Sequence, residues 1–378
     1  MPHADSVLLM LAGDVMTGRG IDQVLERPSV PMLYESYVRD ARDYVKLAEA
    51  VNGPIPAPVP PGYIWGDVLA EVERAAPELR IVNLETAITT SGDAWPGKGI
   101  NYRMHPGNVD CLTAARIDCC VLANNHVLDW GREGLQDTLQ ALRQAGLHGA
   151  GAGVDGDAAW APATLSLGTR GRVLVFAFAT RSSGVPAGWA AGPRRAGVAL
   201  LPDLTQATAT QFAEDMTRRR GAGDRAVISI HWGANWGLEP PPAHREFARW
   251  LVDLGAADLV HGHSSHHPMP VEVYRGKLII YGCGDLINDY EGIGSHGSLR
   301  GDVGCLYFAT LARDSGHVQQ LDILPLQRKR FRLVPADAQA RAWIEGVFNV
   351  GGCRLGPPLA AGLPTSWSLR WTEQDRSR

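Results

Sequence analysis

The chain has 378 residues, 45% of them hydrophobic, with a formal net charge of −4 and a pI near 6.3. That is enough apolar length for one large domain or two ordinary ones. Nothing in the charge balance supports a nucleic-acid-binding face, and the charges are mixed in sign with no single-sign tail.

Residues 7–12 form an apolar run too short to span a bilayer, with no basic segment before it. We read it as a first buried strand, and expect a soluble, cytoplasmic protein with no membrane partner. A helix-like stretch at 37–50 runs into a proline-rich insertion, 51–62, expected to be an ordered loop or lid edge. Strands are expected at 80–84 and 119–123. Cys119 and Cys120, within the second of these, read as buried thiols. Six cysteines without a Cys-x-x-Cys make no disulfide framework and fit a reducing compartment.

A helix is expected at 134–145. The glycine-rich stretch from His148 to Gly153 looks like a phosphate loop, but loop-forming residues and Pro162 follow it where a long helix should open. That argues against a dinucleotide site. Next come a strand at 172–179 and a helix at 204–219, whose end carries Arg218, Arg219 and Arg220, a favourable place for positive charge. A strand at 226–230, a helix at 243–254 and strands at 257–260, 277–281 and 304–310 complete the pattern. The glycine-, proline- and tryptophan-rich stretch 351–378 is expected to wrap the surface irregularly. Strands alternating with helices give an α/β layered fold. The late strands lie close together, which predicts a mixed sheet or a second sheet packed on the first. No internal repeat is visible, and residues 1–378 read as one domain.

Polar residues collect where the strands end. The first strand ends in Gly13-Asp14, the second in Asn83-Leu84-Glu85, the third in Asn124-Asn125-His126. Another ends in His231-Trp232-Gly233. The stretch from His261 to His267 holds four of the 12 histidines. Ligands of α/β sheets bind at the carboxyl ends of strands, and imidazole is neutral, basic and coordinating near pH 7. Each residue also has an ordinary structural alternative. Asp14 could cap a helix, Glu85 could be an N-cap acceptor or salt-bridge partner, Asn125 a turn residue, and His231 a satisfied core histidine. The histidine cluster could be a solvated turn.

Taken in order, these motifs resemble the metallophosphoesterase superfamily, and within it the branch of the capsule synthesis protein CapA. Gly282-Cys283-Gly284-Asp285 resembles the strand-end turn that follows. The resemblance implies a four-layer sandwich of two mixed β-sheets flanked by helices, and often two divalent metals, Mn, Fe or Zn. Carried over, Asp14 and His266 would hold the first metal and Glu85 would bridge. Asn125, His231 and His263 would hold the second, and His126 would donate a proton. The superfamily's Asp-x-His is here Asp14-Val15-Met16, and a thioether does not replace imidazole. The second motif supplies only Glu85, and two residues separate the last histidines.

These departures lead to a metal-independent reading, which we take as the expectation, with no cofactor. The same branch includes an epimerase that inverts the C-terminal tryptophan of a lasso-type ribosomal precursor peptide. Asp14, Glu85, His126 and His296 would be the acid–base groups. Arg19, Trp232, Asn125, His231, His263 and His266 would bind a peptide substrate, with a precursor-recognition protein as a candidate partner and no nucleic acid. Arg19 could equally be a surface arginine, His296 an exposed residue, and Trp232 and Trp236 core packing. The alternative is a divalent-metal-dependent hydrolase of a phosphoester or of a peptide or γ-glutamyl amide. A non-catalytic peptide-binding protein is the third reading.

Overall fold

The computed structural model describes residues 5–294, 297, 299–350, 353–358, 363 and 365–371. Sixteen strands matter to the architecture. In chain order they are β1 (Ser6–Val15), β2 (Leu79–Leu84), β3 (Cys119–Val121), β4 (His148–Ala150), β5 (Ala163–Ser166), β6 (Arg172–Ala179), β7 (Arg225–His231) and β8 (Leu259–His263). Then follow β9 (Val271–Tyr274), β10 (Lys277–Ile280), β11 (Asp285–Ile287), β12 (Val303–Ala312), β13 (Val318–Lys329), β14 (Arg332–Pro335), β15 (Arg354–Gly356) and β16 (Trp367–Arg370). The longer helices are α1 (Arg42–Asn52), α2 (Val68–Ala75), α3 (Gly131–Gln144), α4 (Gln206–Arg219), α5 (Pro242–Asp253) and α6 (Ala338–Phe348).

The first sheet runs β15-β16-β13-β12-β1-β2-β3-β4, with β11 beside the end of β1 and β14 beside β13. Strands β1 to β4 are parallel, whereas β1, β12 and β13 are antiparallel neighbours. The second sheet runs β9-β10-β8-β7-β6-β5, with β6, β7, β8 and β10 parallel and the two edges antiparallel. Both sheets are therefore mixed, and they stack face to face with helices outside, as expected from the sequence. Among the described residues no helix is long and apolar enough to cross a membrane.

Side-chain alternation explains the stacking. Val227 and Leu259 join the core cluster shared with the first sheet. Their neighbours Ile228 and Val260 instead pack with Phe247 and Leu251 of α5 and Ala213 of α4. By the same period, Ser229, His231, His261 and His263 fall on the inter-sheet side. His261 crosses the gap, its Nε2 lying 3.0 Å from the carbonyl oxygen of Ala12 in β1. This corrects the strand expected to stop at 260: β8 continues to His263 because its last histidines alternate inward. All four histidines of the cluster are buried, not a solvated turn.

The other differences are local. The predicted helix at 37–50 begins later, at Arg42, and runs to Asn52. The proline-rich segment is an ordered loop, with Ile55 and Val59 buried in the core and the Val59 amide bonded to Val24 O at 2.9 Å. The stretch expected to be irregular contributes β15 and β16 to the edge of the first sheet.

One close approach sets the site. Bulges interrupt β1 at Asp14 on both of its parallel flanks, and bulges commonly re-aim side chains beside functional sites. A Cβ at Gly13 would lie 2.0 Å from Gly284 O. Only glycine lets β1 pass the turn before β11 closely enough to bring Asp14 beside Asp285. Gly13→Ala should therefore cost about 1–3 kcal/mol or more, read as a lower midpoint of denaturant unfolding. An unchanged midpoint would contradict the close-approach argument.

Candidate active site

Two carboxylates, Asp14 and Glu85, are held by one amide. Asn83 Nδ2 donates to Asp14 Oδ1 at 2.7 Å and to Glu85 Oε2 at 3.1 Å. Asn124 steadies that amide: its Nδ2 donates to Asn83 Oδ1 at 3.0 Å, while its Oδ1 accepts from the backbone N–H groups of His126 and Val127. Burial, and then the facing Asp285, raise the Asp14 carboxyl above the usual carboxylate range. Burial, and then Asp14, raise Glu85 well above it. Asp14 Oδ2 is buried with no hydrogen-bond partner. A buried carboxylate oxygen is costly in free energy unless a cation or a shared proton meets it, and Glu85, raised well above the usual range, can share one with Asp14.

Two triads share Asp14. Ligand atoms of Asp14, His231 and His263 lie within 4.8 Å of one another, as do those of Asp14, His266 and Asp285. His266 Nδ1 sits 2.8 Å from Asp285 Oδ1, and Asn288 Nδ2 donates to Asp285 Oδ2 at 2.6 Å. Although burial opposes it, the Asp285 carboxylate raises the His266 pKa. Ser264, at φ +99°, turns the chain out of β8 in a conformation uncommon for a residue with a side chain. That turn brings His266 back towards the site. In the other triad, burial pushes His231 and His263 well below the usual imidazole range. Both are therefore neutral, the form that binds metals.

Hydrogen bonds fix which nitrogens are bare. A carbonyl only accepts, so His261 Nε2 carries the proton that meets Ala12 O. Burial lowers His261 to about 4. It is neutral, and its Nδ1 accepts from the Ser229 hydroxyl at 3.0 Å. Ser229 Oγ then accepts from His263 Nε2 at 2.9 Å, which leaves His263 Nδ1 bare. On the other side His231 Nε2 donates to Asn125 Oδ1 at 3.0 Å, leaving His231 Nδ1 bare. The two bare nitrogens face each other at 2.7 Å, and His263 Nδ1 lies 3.9 Å from Asp14 Oδ1. Two lone pairs and a carboxylate in mutual contact fit a bound cation. Nitrogen and oxygen donors of this kind suit Mn, Fe or Zn.

His126 sits at the rim with its Nε2 inward and its Nδ1 between Asp129 and Lys98, whose Nζ lies 3.0 Å away. Its Nδ1 is 2.6 Å from Asp129 Oδ2, and Asp129 also binds Lys98 Nζ at 2.5 Å and the Tyr102 amide at 2.7 Å. Burial lowers His126 to about 4, partly offset by Asp129. Its Nε2 faces Glu85 Oε1 at 3.8 Å.

Of the expected site residues, Asp14, Glu85, His126, Asn125, His231, His263 and His266 converge. Glu85, the expected bridge, belongs to neither donor triad. It stands between His126 and His231, 3.9 Å from His231 Nε2, and Asp14 is the carboxylate common to both triads. Arg19 does not offer a free guanidinium. It is buried, with Nε and Nη2 on Asp289 at 2.9 and 2.5 Å and Nη1 on Glu35 at 2.8 Å. Trp232 is core packing: its indole N–H donates to Tyr281 O at 2.8 Å and its ring stacks on His244. Trp236 is the tryptophan beside the site, 5.4 Å from the His266 ring. His296 lies outside the described residues. Asp285, Asn83, Ser229, Asp129 and Lys98 were given no role from sequence. The Gly-Cys-Gly-Asp turn and the spacing of Asp129 three residues after His126 carried a signal for two of them.

A metallophosphoesterase-like sandwich with this constellation at its strand ends defines the class. Residues 8–290 match the model of the family described as bacterial capsule synthesis protein PGA_cap, and the chain belongs to that family. It is 47% identical over 355 residues, covering 94% of this chain and 93% of the relative, to a protein of Mycobacterium tuberculosis named "probable polyglutamine synthesis accessory protein". It is 24% identical over 286 residues to the capsule biosynthesis protein CapA of Bacillus anthracis, covering 75% of this chain and 60% of that one. Against the PGA biosynthesis protein CapA of Bacillus subtilis it is 27% identical over 291 residues, with 76% and 65% covered. These names point to polyglutamate or polyamide synthesis and overturn the expected peptide epimerisation.

The crowding of Asp14 has a measurable cost. Because its charged form is disfavoured in the fold, Asp14→Asn should relieve repulsion while keeping the acceptor for Asn83. Chelator-treated Asp14→Asn protein should melt about 2 °C or more above chelator-treated wild type. A lower melting temperature would show that the buried charge is already compensated by the protein itself.

Proposed function

We propose that this chain is a divalent-cation-dependent hydrolase acting in the synthesis of a glutamate- or glutamine-based polyamide, the kind of polymer its relatives are named for. One observation carries the reading: Asp14, with its unmatched buried oxygen, belongs to two donor triads at once. Asp14, His231 and His263 would hold one cation, and Asp14, His266 and Asp285 another. Cations bound there would polarise a carbonyl or phosphoryl oxygen and lower the pKa of water.

The remaining work falls to the chain's own groups. Asp129 accepts the His126 Nδ1 proton and fixes the ring, so that Nε2 can take a proton from an attacking water and later return it to the leaving amine. Lys98 pairs with Asp129 and holds it in place. Glu85, between His126 and His231, is positioned to orient that water. Asn125 holds the His231 ring at the edge of the open space.

The reading is tested with protein loaded with Mn, Fe or Zn, and with protein stripped by chelator. The substrates are γ-linked oligoglutamate, α-linked oligoglutamine and a phosphodiester reporter. New amino termini should appear with an amide substrate, vanish on stripping and return on reloading. His126→Ala should lower kcat about 100-fold or more with metal content unchanged. Full turnover after exhaustive stripping, or no product from any substrate, would sink the proposal.

A further inference from the structure

Two phenols stand between the site histidines His126 and His266. Tyr102 sets its ring edge-on to His126, with centroids 4.5 Å apart and planes at 86°. Tyr290 does the same to His266, at 5.4 Å and 78°. Both tyrosines line the cavity of about 700 Å³ that opens onto His266. Their hydroxyl oxygens lie 3.1 Å apart.

A third group fixes the direction of that hydrogen bond. The Tyr290 oxygen also lies 3.7 Å from Met16 Sδ. A thioether carries no proton and only accepts, weakly. Tyr290 therefore donates to the sulfur, and Tyr102 donates to Tyr290. The chain of hydroxyls ends on a poor acceptor, at the position where the superfamily carries histidine. A hydroxyl held by sulfur loses little by turning to a charged oxygen, and the bond it accepts from Tyr102 strengthens it as a donor.

The pair is held in place from behind. The Arg19 guanidinium lies 4.6 Å from the Tyr102 ring centre and 5.7 Å from that of Tyr290. It is itself fixed by Asp289 and Glu35. The Tyr290 amide donates to Asn288 Oδ1 at 3.1 Å, and Asn288 also donates to Asp285 of the second triad. Packing alone calls only for the two rings. Phenylalanine would fill both places without the cost of placing hydroxyls beside a thioether.

We infer that the Tyr290 hydroxyl, polarised by Tyr102, is the hydrogen-bond donor that meets the oxyanion formed when a substrate carbonyl or phosphoryl group is attacked. Its O–H turns from Met16 to that oxygen and keeps its proton, so no bond of the phenol breaks. Tyr290 is then a catalytic residue, and Tyr102 a positioning residue that acts through it. The inference rests on the hydrolase reading, because it takes an oxyanion to form in this site.

The test uses metal-loaded protein and inorganic phosphate, a tetrahedral oxyanion, as the probe. Phosphate affinity is measured by titration calorimetry for wild type, Tyr290→Phe, Tyr102→Phe and the double variant, each checked for metal content and unfolding midpoint. Tyr290→Phe should weaken phosphate binding about tenfold, the loss expected for one hydrogen bond to a charged group. Tyr102→Phe should weaken it less. The double variant should match Tyr290→Phe, because Tyr102 acts only through the hydroxyl already removed. With an amide substrate, Tyr290→Phe should lower kcat about 100-fold and leave KM nearly unchanged. Wild-type phosphate affinity in Tyr290→Phe, no phosphate binding by wild type, or a double variant well below Tyr290→Phe overturns the inference. Phosphate binding is read without turnover, so the two proposals fail separately. Tyr290-dependent phosphate binding without cleavage of any substrate keeps the donor and sinks the hydrolase. Cleavage with kcat and phosphate affinity untouched by Tyr290→Phe does the reverse.

Discussion

Asp14 is buried where the two sheets meet, with one oxygen held by Asn83 and the other unmatched. Most of the surrounding chemistry follows from that charge. Glu85 and Asp285 crowd it, and both His231 and His263 are kept neutral by burial. A buried carboxylate among carboxylates is a liability to a protein that binds nothing there. A cation held there would offset that cost, because the residues that repel one another would then share its charge. The fold tolerates the cost because the seam around it is otherwise a large, continuous apolar core.

The geometry comes from backbone features more than from any one side chain. Parallel strands β1, β2, β7 and β8 end on the same side, so residues distant in sequence arrive together. Register does the finer work. His231 pairs with His263 and Ser229 with His261 across β7 and β8, which lines up the hydrogen-bond chain that leaves His263 Nδ1 bare. Gly13 lets β1 approach the turn before β11, and so places the second triad beside the first.

Much of this was legible in the sequence. The strand-end motifs marked Asp14, Glu85, Asn125, His126, His231, His263 and His266 because each follows or closes an apolar run. The spacing of those runs left a mixed sheet or a second packed sheet open, and the family resemblance implied the two stacked mixed sheets. What escaped depended on cross-strand neighbours. Ser229 is an ordinary strand serine until register sets it between two histidines, and Lys98 comes from a loop with no periodicity. Asp285 was seen as part of a turn but given no role. Arg19 and Trp232 misled because sequence shows a side chain's chemistry but not whether its partners are already taken.

In the proposed reading one carboxylate, Asp14, would serve two cation positions. The most direct test of that reading is the metal content per chain of purified wild type, His231→Ala, His266→Ala and Asp14→Asn, each checked for folding. Each histidine variant should lose about half of the wild-type metal, while Asp14→Asn should lose nearly all of it. Asp14→Asn protein that retains the wild-type complement, or wild-type protein that binds no divalent cation even when one is supplied, would contradict it.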